Sequence, residues 1–307
     1  MAGVPLLETD SLTKRYPGVT ALDDLALSVE PGIIGLVGAN GAGKSTLIKI
    51  LLGLTPATSG SARLLGYDVM TEGPQLRQYV GYMPEHDCLP TDVSATEFVA
   101  HMAQITGLPR GAARERTAET LRHVGLFEER YRMIGGYSTG MKQRVKLAQA
   151  LVHDPRVMLL DEPTNGLDPA GRDEMLELIR RIGTSFGISV VMASHLLGEI
   201  ERVCDHLVVI EGGRLLRSDA VEAFTGQMDT LMVEVDGPVD ELAARLGKRG
   251  FEATVDGRFV LVRGDETVYD AVRDETVALG LGLIRMEHRR HQLEDLFRPE
   301  TVEAVRA

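Results

Sequence analysis

The stretch GANGAGKST at residues 38–46 constrains the fold of this chain more than any other. It matches the pattern G-x-x-x-x-G-K-[ST], with Gly38, Gly43, Lys44 and Ser45 in register. An apolar run precedes it at residues 33–37, and residues 46–52 follow with helical spacing, so the segment reads as strand, loop, helix. A loop that wraps closely around a polyphosphate must turn its backbone N–H groups inward and leave no obstructing Cβ, which accounts for the small residues Gly38, Ala39, Asn40, Gly41, Ala42 and Gly43. Lys44 is expected to reach the outer phosphates as a mobile point charge, and Ser45 to offer its hydroxyl to Mg²⁺. Thr46 belongs to the new helix, whose positive end faces the same anion. A glycine-rich turn that holds no ligand is the plain alternative.

Three further motifs carry chemistry. In VMLLDEPTNGLD at residues 157–168, the apolar run 157–160 suits a buried parallel strand, and Asp161 emerges at its carboxyl end, where α/β folds place ligands. Asp161 is expected to hold Mg²⁺ directly or through water, and Glu162 is the candidate general base for an attacking water. Adjacent carboxylates beyond an apolar strand need a cation or solvent, so an acid pair in a surface loop is the competing reading. His195 closes a second apolar run at residues 190–194 and should also stand at a strand's carboxyl end. In YSTGM at residues 137–141, Ser138 can cap a helix over residues 139–152, so that its hydroxyl, the Gly140 amide and the helix dipole all face one anion. Taken alone, Ser138 is simply a good helix cap. Asp168, before Pro169, reads as the cap of a helix reaching Arg181.

In this order and combination the motifs resemble those of the ATP-binding cassette (ABC) ATPases, over residues 6–226. The resemblance implies ATP and Mg²⁺ as ligands, and a P-loop α/β fold with a mostly parallel sheet and a helical subdomain. It also implies a working dimer in which Ser138 and Gly140 contact ATP held by the opposite subunit. His195 would be the switch histidine, and Asp168 would lie in the loop that crosses the dimer interface. Tyr16, in KRYPG at the end of a predicted edge strand, takes the place of the aromatic that stacks on adenine; ordinary packing is its alternative. The chain departs from the usual LSGGQ at Tyr137, Thr139 and Met141. It also has Glu85, in VGYMPE, where the family usually has a glutamine that coordinates Mg²⁺ and couples nucleotide to the membrane partner. A carboxylate still offers oxygen to a metal but adds negative charge beside a triphosphate. With the signature YSTGMKQR, Glu85 resembles the branch serving ABC-2-type exporters, including drug-resistance and sodium-extrusion systems. The partners so implied are a separate transmembrane permease and a second ABC ATPase subunit, identical or homologous. The implied location is peripheral, on the inner face of the cell membrane. Soluble ABC ATPases of ribosomes or DNA are the rival class, but those typically carry two cassettes or long coiled-coil insertions, and one compact cassette is visible here.

Composition fits an intracellular enzyme. With 307 residues, 44% of them hydrophobic, the chain can bury a large core and a smaller second one. Cys88 and Cys204 form neither a disulfide framework nor a metal-ligand pattern. A formal net charge of −12 speaks against a nucleic-acid surface. No apolar run approaches the roughly 20 residues of a membrane span, and no secretory leader is expected. Helical spacing over residues 88–151, with Phe98, Met102 and Ile105 on one face, marks the helical subdomain. After residue 226 the pattern becomes strand, helix, strand, strand, helix, strand, which suggests a small ferredoxin-like α+β domain at residues 227–307. Its charged residues read as an ordinary solvated face; the resemblance implies a dimerisation or regulatory module instead, and LEDLF at residues 293–297 could dock on the body.

Overall fold

The computed structural model describes residues 4–290 apart from positions 87, 226, 265 and 266; the 293–297 segment lies outside the described residues. The chain divides into two compact units, Met1–Val221 and Glu222–Ala307. The division falls a few residues before the change of pattern read from the sequence.

In the first unit, six strands form one sheet in the order Arg214–Ala220, His206–Glu211, Ile33–Val37, Ser189–Ser194, Val157–Asp161, Val80–Met83. All adjacent pairs are parallel except that of the first two strands. The middle strands are apolar throughout because both of their faces are covered: every residue of Ile33–Val37 and of Val157–Asp161 is buried. Register places Val37 beside Ser194, and Asp161 beside Ala193. The carboxyl ends of three neighbouring strands therefore carry the phosphate loop, the Asp161–Glu162 pair and His195 along one edge.

A second, antiparallel sheet runs Val19–Val29, Leu7–Tyr16, Ser59–Leu64, Tyr67–Asp68. The strand ending at Tyr16 is thus an inner strand, not the edge strand expected. It pairs with Ser59–Leu64 through residues 7–13 and with Val19–Val29 along its length. Tyr16 faces Val19 across a tight turn in which Gly18 takes a positive φ of 80°, and the residue is 41% exposed although the strand is internal. The helices Ala95–Ile105, Arg110–His123 and Thr139–Leu151 form the helical part, and the first is fixed by a capping box between Ser94 and Glu97.

The second unit holds four antiparallel strands in the order Glu252–Asp256, Phe259–Arg263, Gln227–Val235, Leu283–Arg290. Helices Val239–Lys248 and Thr267–Ala278 cross between them. This is the ferredoxin-like arrangement. Alternation builds its core: Leu231, Val233, Val260 and Val262 face Leu242, Leu246, Val268 and Val272 of the helices.

Candidate functional site

The phosphate loop owes its shape to two close approaches. Gly43 takes φ 110° immediately before the helix Lys44–Leu51, and a Cβ there would stand 2.5 Å from the Ala21 carbonyl oxygen. A Cβ on Gly38 would come within 2.2 Å of the Ile210 carbonyl oxygen. The helix starts two residues earlier than its apolar spacing suggests, so Lys44 and Ser45 lie in its first turn. Lys44 is 6% exposed, and its ammonium donates to the carbonyls of Gly38 at 2.6 Å and Ala39 at 3.3 Å. Burial, the largest influence, lowers the Lys44 pKa, while Glu162, Asp161 and Glu85 oppose that shift. The field of these three carboxylates thus acts on one buried cation whose hydrogen bonds go to the loop carbonyls.

Ser45 donates its hydroxyl to Asp161 Oδ1 at 3.1 Å. The Asp161 carboxyl is held above the usual carboxylate range, chiefly by burial, with the Ser45 bond and Lys49 and Lys44 acting against it and Glu85 reinforcing it. Glu162, next in sequence, is raised for the same reason, with His195 and Lys44 opposing. His195 Nδ1 lies 2.8 Å from Glu162 Oε2. With the carboxylate ionised, Nδ1 carries the proton and Nε2 is left for a ligand. Glu162 also has φ 50°, a left-handed conformation that branched or long side chains seldom adopt. Its N–H donates to the Ala193 carbonyl at 2.9 Å, and its own carbonyl accepts from Asn165 N–H at 3.1 Å. These bonds turn the chain sharply after Asp161 and aim the two adjacent acids at different partners. Strain of this kind, about 1–3 kcal/mol, tends to persist at sites where geometry matters.

The raised pKa of Asp161 has a consequence for stability. Its folded-state pKa exceeds the unfolded value, so the ionised carboxylate destabilises the fold above that pKa, and the penalty fades as pH falls below it. Asp161→Asn is therefore expected to raise the melting temperature at pH 7 when nucleotide and divalent metal are absent. The gain should shrink on acidification. Calorimetry of both proteins from pH 8 down toward the ordinary carboxylate range checks this, and a variant that melts lower at every pH would refute it.

Ser138 caps the helix Thr139–Leu151, its hydroxyl accepting from Met141 N–H at 3.3 Å. Asp168 caps Pro169–Phe186 in the same manner, its Oδ1 accepting from Gly171 N–H at 3.1 Å. Ser138, Gly140, Gly166, Leu167 and Asp168 line one surface depression of about 560 Å³. No phosphate-loop residue lines that depression, and neither do Asp161, Glu162 and His195. The structure thus gathers the expected site residues into two groups rather than one.

Two contributors carry little sequence signal. Lys146, 2% exposed on the signature helix, donates to the carbonyls of Pro84 at 2.8 Å and Glu85 at 3.0 Å and so holds the Glu85 turn. That helix buries Gln143, Val145, Leu147 and Ala148 as well, and a lysine within so buried a stretch has to find oxygen partners. Gln143 donates from Nε2 to the Asn165 carbonyl at 2.9 Å, tying the signature helix to the loop before Asp168. Tyr16 has the Lys14 ammonium 4.9 Å above its ring.

A phosphate loop, an acid pair and a histidine at the ends of adjacent parallel strands define a P-loop nucleoside triphosphatase. A family profile described as ABC transporter matches residues 22–165. The ABC transporter ATP-binding protein YxlF of Bacillus subtilis is 31% identical to the chain, over 95% of this chain and 98% of its own. The Nod factor export ATP-binding protein I of Ralstonia nicotianae is 33% identical, over 97% of this chain and 94% of its own. Among solved structures, cbiO1 of Clostridium perfringens, part of the ABC transporter complex cbiONQ, superposes with a TM-score of 0.66 at 28% identity, covering 72% of this chain and 90% of that one. The chain belongs to the ABC transporter family and is an ATP-binding, ATP-hydrolysing subunit. Among the described residues, no helix is long and apolar enough to cross a membrane.

Proposed function

We propose that this ATPase powers a membrane exporter of the ABC-2 type by closing as a dimer on ATP and reopening after hydrolysis. Residues 1–226 form the cassette and 227–307 an accessory domain. The subunit docks on the inner face of the membrane against a separate transmembrane permease. What carries the reading is the contact of His195 Nδ1 with Glu162 Oε2 at 2.8 Å, beside Lys44, Ser45 and Asp161 on adjacent strand ends. Export is supported by the Nod factor export relative, which aligns along nearly its whole length.

Lys44 exchanges its loop carbonyl partners for the β- and γ-phosphates, and the inward amides of residues 38–46 cradle the chain of phosphates. Tyr16 stacks on adenine. Glu162 accepts a proton from water as the water oxygen bonds to the γ-phosphorus; the bond from that phosphorus to its bridging oxygen breaks and ADP leaves. His195 holds the water and the γ-phosphate, oriented by Glu162. Ser138 and Gly140 of the second subunit complete the site, and Asp168 links the two sites across the interface.

The metal fits as far as donor chemistry goes. Ser45 Oγ and Asp161 Oδ1 are hard oxygens already 3.1 Å apart, with Glu85 nearby in charge. Two such oxygens suffice for Mg²⁺, which needs only one or two from protein and takes the rest from phosphates and water. When bound, Mg²⁺ neutralises phosphate charge and polarises the γ-phosphoryl group.

Mass spectrometry of proteins co-purifying with tagged full-length Glu162→Gln, with ATP in mild detergent from the native cell, tests the reading. A multi-spanning membrane protein in near-equal amount is expected. Soluble partners alone, such as ribosomal proteins, would overturn it.

A further inference from the structure

Glu199 is a buried charge that none of the steps above uses. It sits on the short helix Leu197–Val203 with 4% of its surface exposed. Its neighbours Ile200 and Val203 are buried with it. Keeping a carboxylate in such a place is unfavourable unless donors meet it. Two hydroxyls do, one from the turn after Glu162 and one from the strand end before His195, and an arginine of the helix that follows Asp168 lies beside the second oxygen.

Glu199 Oε2 accepts from Thr164 Oγ1 at 2.7 Å and from Ser194 Oγ at 3.0 Å. Thr164 stands two residues after Glu162, and Ser194 immediately before His195. The Ser194 hydroxyl also accepts from Leu196 N–H at 3.0 Å, so one side chain grips the backbone on both sides of His195. The other oxygen, Oε1, lies 3.3 Å from Arg172 Nε, a charge contact without hydrogen-bond alignment. Arg172 extends to the Leu167 carbonyl, next to Asp168. One carboxylate thereby fastens the backbones that carry Glu162 and His195 to each other, and both to the loop of Asp168.

We propose that Glu199 is the positioning residue of the Glu162–His195 pair, setting the distance between the base and the histidine by holding Thr164 and Ser194 on one oxygen. The inference rests on the assignment of that pair to hydrolysis. Glu199 touches neither ATP nor water. Its removal leaves the phosphate loop intact but frees two loops whose mutual placement fixes the attacking water, and a shift of about 1 Å at such a point can lower a rate about 100-fold.

The test uses the full-length chain and follows ATP hydrolysis and nucleotide binding separately. Glu199→Ala is expected to lower kcat about 10- to 100-fold with KM for ATP nearly unchanged. Glu199→Gln, whose amide oxygen can still accept from both hydroxyls while losing the charge contact to Arg172, should recover most of the rate. Thr164→Val removes one bond to Glu199, Ser194→Ala removes the other together with the bond from Leu196 N–H, and each should give a partial loss in kcat alone; they decide the matter if Glu199→Ala fails to fold. In the His195→Ala background, Glu199→Ala should add little further loss, because its effect runs through the histidine. The proposal is overturned if Glu199→Ala keeps the normal rate, if Thr164→Val and Ser194→Ala both do, or if Glu199→Ala cuts the residual rate of His195→Ala by its full factor. Normal hydrolysis by His195→Ala and Glu162→Gln would instead show that the pair is not the hydrolytic machinery, and the role of Glu199 would fall with it.

Discussion

Replacing Glu162 with glutamine is expected to slow ATP hydrolysis about 100- to 10,000-fold while leaving ATP bound, since proton transfer to a positioned base contributes roughly that much. The amide has the size of the carboxylate, and its oxygen can still accept from His195 Nδ1, now 2.8 Å from Glu162 Oε2. Lys44, Ser45 and the loop amides are untouched, so affinity stays. What is lost is the proton acceptor. Trapped before hydrolysis, the variant should accumulate as a dimer with ATP, visible by light scattering, while the wild type cycles back to monomer. Acidification should act on the wild type in the same direction. Because burial raises the Glu162 pKa, the base becomes protonated at a higher pH than an ordinary glutamate would, and the rate falls as pH drops through that value. Glu162→Gln should lack this acid limb. Hydrolysis at the normal rate by the variant would remove Glu162 from the role of base.

The parts of the site that are legible in the sequence are those in which chemistry demands given residue types at adjacent positions. A loop that turns its amides inward needs Gly38 and Gly43, and a strand covered on both faces needs an unbroken apolar run before Asp161. Such demands are local, so one stretch of sequence expresses them. The ferredoxin-like unit is legible for a related reason: alternation in Leu231, Val233 and Val260, Val262 states which face is inward. What escapes is long-range. Thr164 meets Glu199 across 35 positions and Lys146 meets the Glu85 carbonyl across 61, and a buried polar residue gives no hint in sequence of which donor will satisfy it. The strand ending at Tyr16 reads as an edge because its second neighbour, Ser59–Leu64, arrives only after the phosphate-loop helix. The left-handed turn at Glu162 is hidden too, since glutamate does not favour it and only the Ala193 and Asn165 bonds impose it.

Lys44→Ala is expected to weaken ATP binding about 10- to 100-fold, the magnitude of losing one charge-assisted contact, and to silence hydrolysis at cellular ATP with it. Gly140→Asp should silence the chain by another route. Position 140 lines the depression shared with Asp168, away from Lys44, and a carboxylate there would repel a γ-phosphate presented by another molecule. Each variant alone gives a dimer with two defective sites. Mixed, they behave differently if the two groups of residues meet only across subunits. In a heterodimer, one site combines the damaged phosphate loop of the Lys44→Ala subunit with the damaged signature of the Gly140→Asp subunit. The other combines the intact phosphate loop of the Gly140→Asp subunit with the intact signature of the Lys44→Ala subunit. Equal mixing makes about half of the dimers mixed, each with one sound site, so about a quarter of wild-type activity should return if the sites act independently. A site complete within one chain predicts no recovery at any ratio, because every subunit carries a defect. Hydrolysis measured across mixing ratios therefore reads the geometry directly: a maximum at equal amounts places Ser138 and Gly140 on the partner's ATP, and a flat baseline places them elsewhere.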